Sequence, residues 1–393
     1  MFIKLPLQKL KEFTDLSKSL QSSELEQIYQ FIKVEIDFGK CTITKSTRDS
    51  FLVYTFDLDA VDDCSFIIQE KVLSDFSNST NENYVYIELN ESGGNIHKIK
   101  DSLNSKKCYE KVFNDGGYKI KDFPSSHVKL DSITYSRLGK NQIDSILRAK
   151  SFVGKDDLAP MYNHIFISPT KPDPNKNGKS DLYINSFGGQ TMYLDRIGSD
   201  LSFPFLAISP RESAIITKFE WLDYNSDTSN FNIYKYGLNG EVIYGFSRVE
   251  GANPVDLSLP LSMFKKDNYF IIKTNDILKF CTSIKLYSGT NDKDREDSKW
   301  KNSSCTLDFG ECTLFFELEK ISESIKVICD VTVVGSEFNF NFNQNFLYEI
   351  IRGAFSGYDE ICISDSGNGV CIFSRNHENM IGFMMKYQKQ AVK

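Results

Sequence analysis

The chain has 393 residues, of which 40% are hydrophobic and 25% charged, and its formal net charge is −7 at pH 7. This composition is that of an ordinary globular protein, and no run approaches the roughly 20 apolar residues of a membrane span. Lysines interrupt the apolar residues near the N-terminus (Lys4, Lys9, Lys11), so we expect no signal peptide and a cytoplasmic location.

The first predicted helix spans residues 5–20. Its apolar residues recur at steps of three and four and form one stripe: Leu7, Leu10, Phe13, Leu16 and Leu20. Period-two alternation at 32–38 and 84–89 predicts half-buried strands, with a turn at Asp37-Phe38-Gly39. Between these strands, residues 67–78 predict a second helix that follows a strand and closes on Phe76.

The same succession occurs twice more. Residues 138–152 predict a helix with the stripe Ile143, Ile146, Leu147 and Phe152, and residues 210–219 predict a second one that opens on Pro210. Residues 275–287 and 343–355 predict the last two helices, the former with the stripe Ile277, Leu278, Cys281 and Ile284. Alternating strands accompany them at 231–236, 313–318 and 338–342, and a turn is predicted at 365–369.

The repeats begin about 130 to 140 residues apart, a spacing that suits similar domains in tandem rather than a solenoid. We therefore predict an α+β protein of three domains, each with two helices packed on antiparallel sheet. The predicted boundaries are 1–125, 126–262 and 263–393.

Charge is divided between the predicted helices and the remainder. The six helical segments carry 12 lysines and arginines against 8 acidic residues, so they are net positive while the rest of the chain is strongly negative. Chance variation among solvated helix faces is one interpretation. The other is that a polyanion is held on the helical side.

Nothing in the sequence indicates catalysis. The nine cysteines include no Cys-x-x-Cys pair, and the four histidines form no metal-ligand spacing. We expect reduced, mostly buried thiols, no metal, no cofactor and no enzymatic activity.

Several segments, taken in order, carry a resemblance to a known family. They are residues 32–44, 66–73, 118–124, 205–211 (Phe-Leu-Ala-Ile-Ser-Pro-Arg), 247–254 (Ser-Arg-Val-Glu-Gly-Ala-Asn-Pro), 340–355 and 380–386 (Met-Ile-Gly-Phe-Met-Met-Lys). Together they resemble the bacterial sliding clamps, the β subunits of DNA polymerase III. The likeness covers nearly the whole chain, although no single segment is specific.

The resemblance implies three clamp domains per chain and a homodimer that closes head to tail into a ring around duplex DNA. Helices would line the hole, and contact with the DNA backbone would be non-specific. In such a ring, the basic side chains expected to face the DNA are Lys140, Arg148, Lys150, Arg211 and Lys279. Each of them is equally well explained as part of a solvated helix face.

The resemblance also implies a groove for short peptides of the DNA polymerase and the clamp loader. Carried over position by position, the groove falls on Tyr162, Ser186, Gly188, Gln190, Thr191, Pro254, Leu257, Gly382, Phe383, Met384, Met385 and Lys386. The family's His-Arg-Leu is replaced here by Gly189-Gln190-Thr191, the proline of its tail by Met384, and an arginine after its first helix by Gln21. The peptide preference is therefore expected to differ.

The favoured function is a DNA sliding clamp, a processivity factor in DNA replication that tethers the replicative polymerase. A second hypothesis is a clamp-fold scaffold that binds peptides without being loaded on DNA. A third is an unrelated three-domain structural protein.

Overall fold

The computed structural model describes most of the chain. The described residues are 2–20, 27–59, 62–79, 83–90, 93–97, 120–124, 135–154, 159–170, 181–199, 205–225, 230–237, 240–249, 251–252, 256–287, 304–308, 313–318, 321–324, 327–328, 331–336, 338 and 340–386.

Eight α-helices occur in these ranges. They are α1 Leu7–Ser17, α2 Glu70–Ser79, α3 Lys140–Ala149, α4 Pro160–Asn163, α5 Pro210–Ile216, α6 Ser258–Met263, α7 Thr274–Tyr287 and α8 Gln344–Ile350. Short 3₁₀ segments extend α1 and α3 to Leu20 and Phe152, and a π-helical segment, Ile351–Phe355, continues α8. The six predicted helices are confirmed as α1, α2, α3, α5, α7 and α8, with small differences at their ends.

The strands of the first half of the chain are β1 Phe2–Pro6, β2 Phe31–Asp37, β3 Lys40–Ser46, β4 Ser50–Asp57, β5 Cys64–Gln69, β6 Tyr84–Asn90, β7 Gly93–His97, β8 Ser136–Leu138, β9 Ile165–Pro169, β10 Asp181–Phe187, β11 Thr191–Ser199 and β12 Leu206–Ile208. Those of the second half are β13 Leu222–Asn225, β14 Phe231–Gly237, β15 Glu241–Ser247, β16 Tyr269–Lys273, β17 Ser304–Asp308, β18 Thr313–Leu318, β19 Ile321–Ser324, β20 Val327–Ile328, β21 Val331–Val334, β22 Phe340–Asn343, β23 Glu360–Asp365, β24 Gly369–Ser374 and β25 His377–Met385.

One strand order recurs three times. It is seen in β5-β2-β3-β4, β12-β9-β10-β11 and β22-β17-β18-β19. In each, three strands that follow one another in the chain lie side by side, and a later strand pairs with the first of the three. In a second order, the first strand of a repeat pairs with the first of the strands that close the same repeat, as in β8-β13-β14-β15 and β16-β23-β24-β25. The sheet β1-β6-β7 contains the first three strands of this order. Neighbouring strands in these sheets run antiparallel, so the predicted α+β repeat is confirmed at the level of topology.

Two of these sheets join one repeat to the next. β4 of the first repeat pairs with β15 of the second, and β11 of the second pairs with β25 of the third. The joined sheets have eight strands (β5-β2-β3-β4-β15-β14-β13-β8) and nine strands (β12-β9-β10-β11-β25-β24-β23-β16-β21). In both cases the fourth strand of one repeat meets the last strand of the next.

By its contacts the chain separates into two compact units. One comprises residues 1–138 and 221–248, and the other residues 139–220 and 249–393. The eight-stranded sheet lies in the first and the nine-stranded sheet in the second, because the continuous sheets group strands of successive repeats. The three-domain boundaries at 125/126 and 262/263 stay a prediction.

The helices pack on the sheets through the expected apolar stripes. Leu7, Leu10 and Phe13 of α1 are buried, as are Ile143 and Ile146 of α3. Leu147, assigned to the stripe of α3, is instead 49% exposed. Each residue of an α-helix turns the side chain by about 100°, so the residue after Ile146 points away from the core, and Ala149 completes the buried stripe.

The second helix of the middle repeat is fixed by its first turn. Glu212 N–H donates to Ser209 Oγ at 3.3 Å, and Ser209 N–H donates to Glu212 Oε2 at 2.6 Å. This reciprocal capping satisfies two backbone donors that the helix leaves open, and Pro210 occupies the first helical position, as predicted. The beginning of α5, where Arg211 lies, is therefore well defined.

Candidate functional site

The predicted groove residues meet at the turn between β10 and β11. Gly188 N–H donates to Thr191 O at 2.8 Å, and Gln190 N–H donates to Gly188 O at 2.9 Å. Met385 N–H, at the end of β25, donates to Gln190 O at 2.9 Å. The turn and the C-terminal strand, which are almost 200 residues apart in sequence, are thereby joined.

Tyr162 lies near the same turn because two glycines, Gly154 and Gly188, pack closely between them. Gly154 N–H donates to Tyr162 O at 2.6 Å, and a Cβ added to Gly154 would lie 3.5 Å from Gly188 Cα. At Gly188 an added Cβ would lie 2.4 Å from Phe152 O, closer than real Cβ atoms approach an oxygen. The glycines therefore allow the backbone to pack closely here, and the Tyr162 side chain remains 37% exposed.

The residues of β25 alternate between two faces of the sheet. An added Cβ at Gly382 would lie 3.0 Å from Phe152 Cζ and 3.1 Å from Phe355 Cε2, on the helix side, and Met384 is fully buried. Phe383 packs with strand residues on the other side, and Met385 is 47% exposed. Because successive side chains of a strand point in opposite directions, only Phe383 and Met385 of this run can line an outer groove.

An apolar cluster extends this outer surface. Leu257 and Phe383 are buried in it with Tyr183, Phe187, Met192, Leu194, Cys371 and Ile381. Leu261, Met263 and Phe264, from α6 and the residue after it, pack on the cluster while partly exposed, and Leu259 is 69% exposed. From sequence, only Leu257 of this segment is predicted to line the groove, and the residues after it are expected to lie at a domain boundary. Its Leu257-x-Leu259-x-Leu261-x-Met263-Phe264 pattern was the signal that could have revealed it.

Three other groove residues are already used in internal bonds. Ser186 is fully buried and its hydroxyl donates to Ala149 O at 2.8 Å, and the Thr191 hydroxyl donates to Phe152 O at 3.3 Å. Lys386 Nζ donates to Asp365 Oδ1 at 2.7 Å. The bonds of Ser186 and Thr191 hold β10 and β11 to the end of α3 and its 3₁₀ extension, and the bond of Lys386 holds the end of β25 to the end of β23. Pro254 lies outside the described residues.

The basic residues assigned to the helix surface divide into two groups. Lys140, Lys150, Arg211 and Lys279 are exposed. In α1, α2, α3, α5, α7 and α8, with their 3₁₀ and π-helical segments, seven of the described cationic side chains are exposed, namely Lys18, Lys71, Lys140, Lys150, Arg211, Lys279 and Arg352. Only three acidic ones are, namely Asp15, Asp75 and Glu349. The excess of positive charge on these helices therefore lies on their solvent-facing side.

Arg148 behaves differently, because it belongs to a partly buried polar network. Its Nη1 atom lies 4.0 Å from Asp195 Oδ2, to which the Tyr193 hydroxyl donates at 3.3 Å. His377 Nε2 lies 3.5 Å from Asp195 Oδ1. Burial, together with the nearby Asp195 carboxylate, raises the pKa of Tyr193, so this hydroxyl stays protonated. The network links α3, β11 and β25, which gives Arg148 a structural role whatever else it contacts.

In the part of the chain that the structure describes, no group of three or more His, Cys, Asp or Glu side chains is placed to hold a metal ion. Nor is any described helix long and apolar enough to cross a membrane.

No protein-family model matches this sequence, and no curated protein sequence matches it. Solved structures do. The DNA polymerase sliding clamp of Bacillus subtilis is 14% identical, with 99% of this chain and 100% of that chain covered and a TM-score of 0.77. The DNA polymerase III subunit β of Pseudomonas aeruginosa is 11% identical over the same shares, also with a TM-score of 0.77.

The β sliding clamp of Caulobacter crescentus is 10% identical, with a TM-score of 0.76 and 99% and 100% of the two chains covered. In that crystal structure polyethylene glycol is bound to the proposed β-motif tethering region. Together these likenesses show that the chain has the sliding-clamp fold along its length. The hypothesis of a three-domain protein with an unrelated fold is thereby removed.

Proposed function

We propose that this chain is a divergent DNA sliding clamp, an accessory protein of DNA replication that encircles duplex DNA in the cytoplasm and tethers the replicative DNA polymerase. The observation that carries the proposal is the clamp fold over the full length, with solved clamps matched at TM-scores of 0.76 to 0.77. The function of a clamp depends on topology more than on particular residues, so a likeness of the whole fold bears on it directly.

Closure into a ring is supported by the repeated strand order. The fourth strand of the first repeat, β4, pairs with β15, and that of the second, β11, pairs with β25. The fourth strand of the third repeat corresponds to β19 and β20, which pair with β18 alone in the described residues. We propose that this edge pairs with the first domain of a second copy. A head-to-tail contact of this kind is heterologous, and it makes a closed ring only if its rotation closes.

The charge of the helices supports DNA as the ligand of the hole. Exposed cations outnumber exposed anions on the described helices by seven to three, while the whole chain carries −7. Lysine and arginine contacts to phosphates are independent of base sequence and weaken with salt. Weak contacts suffice for a ring, because enclosure rather than affinity retains the protein on DNA.

The outer surface beside the β10–β11 turn is proposed as the peptide groove. Tyr162, Leu259 and Met385 are exposed there, beside the cluster that contains Leu257 and Phe383. Exposed methionine and aromatic side chains suit an adaptable apolar site. Segments of the DNA polymerase and of the clamp loader are the proposed occupants. Because a glycine, a glutamine and a threonine replace the family's His-Arg-Leu, their sequences are expected to differ from the common motif.

A clamp-fold scaffold that binds peptides but is not loaded on DNA is the second candidate. Several helix cations are paired with acids: Lys9 with Glu12, Lys18 with Asp15, and Arg148 with Asp195. This pairing lowers the net attraction of those helices for phosphate, which favours the scaffold. The two candidates differ in whether the protein stays on circular DNA after loading.

Ring closure is tested by the mass in solution and by hydrogen exchange. A two-chain ring of this 44.9 kDa chain has a mass of about 90 kDa by light scattering. Amides of β19 (Ile321–Ser324) should gain protection as the chain dimerises on concentration, whereas those of β12 (Leu206–Ile208), at the edge of the nine-stranded sheet, should not change. A chain that stays monomeric at high concentration, or a dimer whose β19 amides exchange as fast as those of the monomer, would contradict the proposal.

A further inference from the structure

An exposed phenylalanine occupies the tip of the hairpin formed by β2 and β3. Phe38 is 89% exposed, the highest value among the large hydrophobic side chains that the structure describes. It has φ 46°, and Gly39, which follows it, has φ 74°. Two successive residues with positive φ make the tight turn that favours asparagine, aspartate or glycine at its first position. A bulky aromatic residue with positive φ is a true outlier, and such outliers cluster at functional positions.

The tip is held firmly in this conformation. Phe38 N–H donates to Asp63 Oδ1 at 3.0 Å, and Leu58 N–H donates to Gly39 O at 2.7 Å. β2 pairs with β3 and β5, and β3 pairs with β4, so the turn stands on a four-stranded base. The ring of Phe38 is therefore presented to solvent by a fixed backbone rather than by a loop that can fold back over it.

The surroundings of the tip are acidic. Asp37, Asp62 and Asp63 are exposed beside it, and Lys40 is the exposed cation of the same turn. Asp57 and Asp59 are exposed as well, but they line a cavity of about 650 Å³ together with Lys4 and Lys11, so their charge is partly balanced. The side of the tip that carries Asp37, Asp62 and Asp63 keeps a net negative charge.

We propose that the Asp37–Gly39 turn is a docking tip for a second protein, one with an apolar pocket that receives the Phe38 ring and a rim of lysine or arginine that faces the aspartates. A buried aromatic anchor surrounded by complementary charge is the usual composition of an energetically dominant contact. The acidic surroundings argue against an anionic membrane or a nucleic acid as the occupant. The tip belongs to the first compact unit and the groove residues belong to the second, so this contact does not use the proposed peptide groove.

The test uses the full-length chain with p-benzoylphenylalanine in place of Phe38, irradiated in an extract of cells that naturally contain the protein. We expect one predominant adduct, whose cross-linked residue, located by mass spectrometry, lies in an apolar pocket bordered by lysine or arginine. Its yield should fall as salt is raised. The same photoreactive residue in place of Phe205, which is 37% exposed and stacked on Phe166, is the matched control and should not give this adduct.

Competition with unlabelled protein decides whether Phe38 itself is the anchor. Wild-type chain should suppress the adduct, and Phe38→Asn should do so at least tenfold less effectively. Asparagine is favoured at this turn position, so Phe38→Asn should also unfold at a higher temperature, which separates loss of docking from misfolding. Equal competition by Phe38→Asn, an adduct with a second copy of this chain or with lipid, or no adduct above the Phe205 control would overturn the proposal.

Discussion

Gln190 accepts a hydrogen bond of 2.9 Å through its main-chain carbonyl from the main-chain N–H of Met385. This bond fixes the turn after β10 to the end of β25, and it does so through backbone atoms, which tolerate a change of side chain. It gives a physical reason why Gln190 can replace the Arg of the clamps that the sequence resembles without loss of this bond.

Two adjacent glycines of this turn should both lose stability on substitution by alanine, but for different reasons. In Gly188→Ala the new Cβ would meet Phe152 O at 2.4 Å and Thr191 Oγ1 at 2.6 Å, so we expect a loss of about 1–3 kcal/mol in the free energy of unfolding. Gly189 has φ +78° and open space around its Cβ position, so Gly189→Ala meets backbone strain alone and should cost about 1–2 kcal/mol. Urea unfolding compares the two.

Peptide binding provides the second readout for this pair. Gly188→Ala should displace the backbone near Gly154 and Tyr162 and weaken binding of an apolar peptide at the groove, whereas Gly189→Ala should bind nearly as wild type. A Gly188→Ala protein that matched wild type in both stability and binding would show that the close packing of this turn has no role.

Gly245 and Phe51 should be energetically coupled. They are directly opposite in the β4–β15 pairing, and a Cβ at Gly245 would lie 2.1 Å from Phe51 Cε1. Gly245→Ala should cost about 1–3 kcal/mol because the buried ring cannot move away freely. With Phe51→Leu already present, the same substitution should cost at least 0.5 kcal/mol less, to judge from typical coupling of residues in contact (roughly 0.5–3 kcal/mol). Additive effects in this double-mutant cycle would contradict the contact.

The buried thiols should be unreactive in the native protein. Burial raises the pKa of Cys41 from 9.0 to about 12 and those of Cys362 and Cys371 to about 11. Only the thiolate reacts with iodoacetamide. At pH 8 we expect Cys64, which is half-buried, to be alkylated first among the described free cysteines, and Cys41, Cys362 and Cys371 to react only on unfolding. Mass spectrometry of the labelled peptides gives the order.

The same shift makes stability depend on pH in a defined direction. A raised pKa in the folded state means that the neutral thiol is favoured there, so the stabilisation is complete below pH 9 and is lost as pH rises from 9 toward about 12. Cys41→Ala removes one such group and should make the fall between pH 9 and 11 shallower, by at most about 1.4 kcal/mol per pH unit. An unchanged pH profile would mean that Cys41 is not protected by burial.

Charge reversal on the helices should weaken binding to duplex DNA. Replacing both Lys140 and Lys150 by glutamate should lower affinity for a short duplex at low salt and reduce the slope of log affinity against log salt by about 1 for each phosphate that is no longer bound. Lys40→Glu, which changes an exposed lysine at the start of β3, is the control and should leave the slope unchanged. If the Lys140/Lys150 variant and Lys40→Glu lowered the salt slope equally, the helices could not be the surface that binds DNA.

The helices could be predicted from sequence where an apolar stripe with a helical period, or a recognisable first turn, marks them. The stripe of α1, from Leu7 to Phe13, is a signal of the first kind, and the opening of α5 at Pro210 is one of the second. The prediction for Leu147 is wrong because one apolar residue beside a stripe looks the same in sequence whether it extends the stripe or leaves it. Only the packing of its neighbours Ile146 and Ala149 decides the matter.

The arrangement of the site was less predictable, because it depends on which face of a strand a residue takes and on pairings between distant segments. Met384 and Met385 are chemically identical neighbours, yet one is fully buried and the other 47% exposed. The contribution of α6 was missed because its short apolar pattern follows a proline-containing segment that also suits a linker. The Gln190–Met385 bond joins backbone atoms and has no signature in sequence at all.

Retention on circular DNA tests the central claim most directly. The protein is incubated with nicked circular duplex DNA, ATP and a clamp loader from the same source, and the DNA is separated from free protein by gel filtration in high salt. We predict that the protein stays with the circles and dissociates when a single cut makes them linear. Equal retention on linear and circular DNA, or release from both in high salt, would contradict the account.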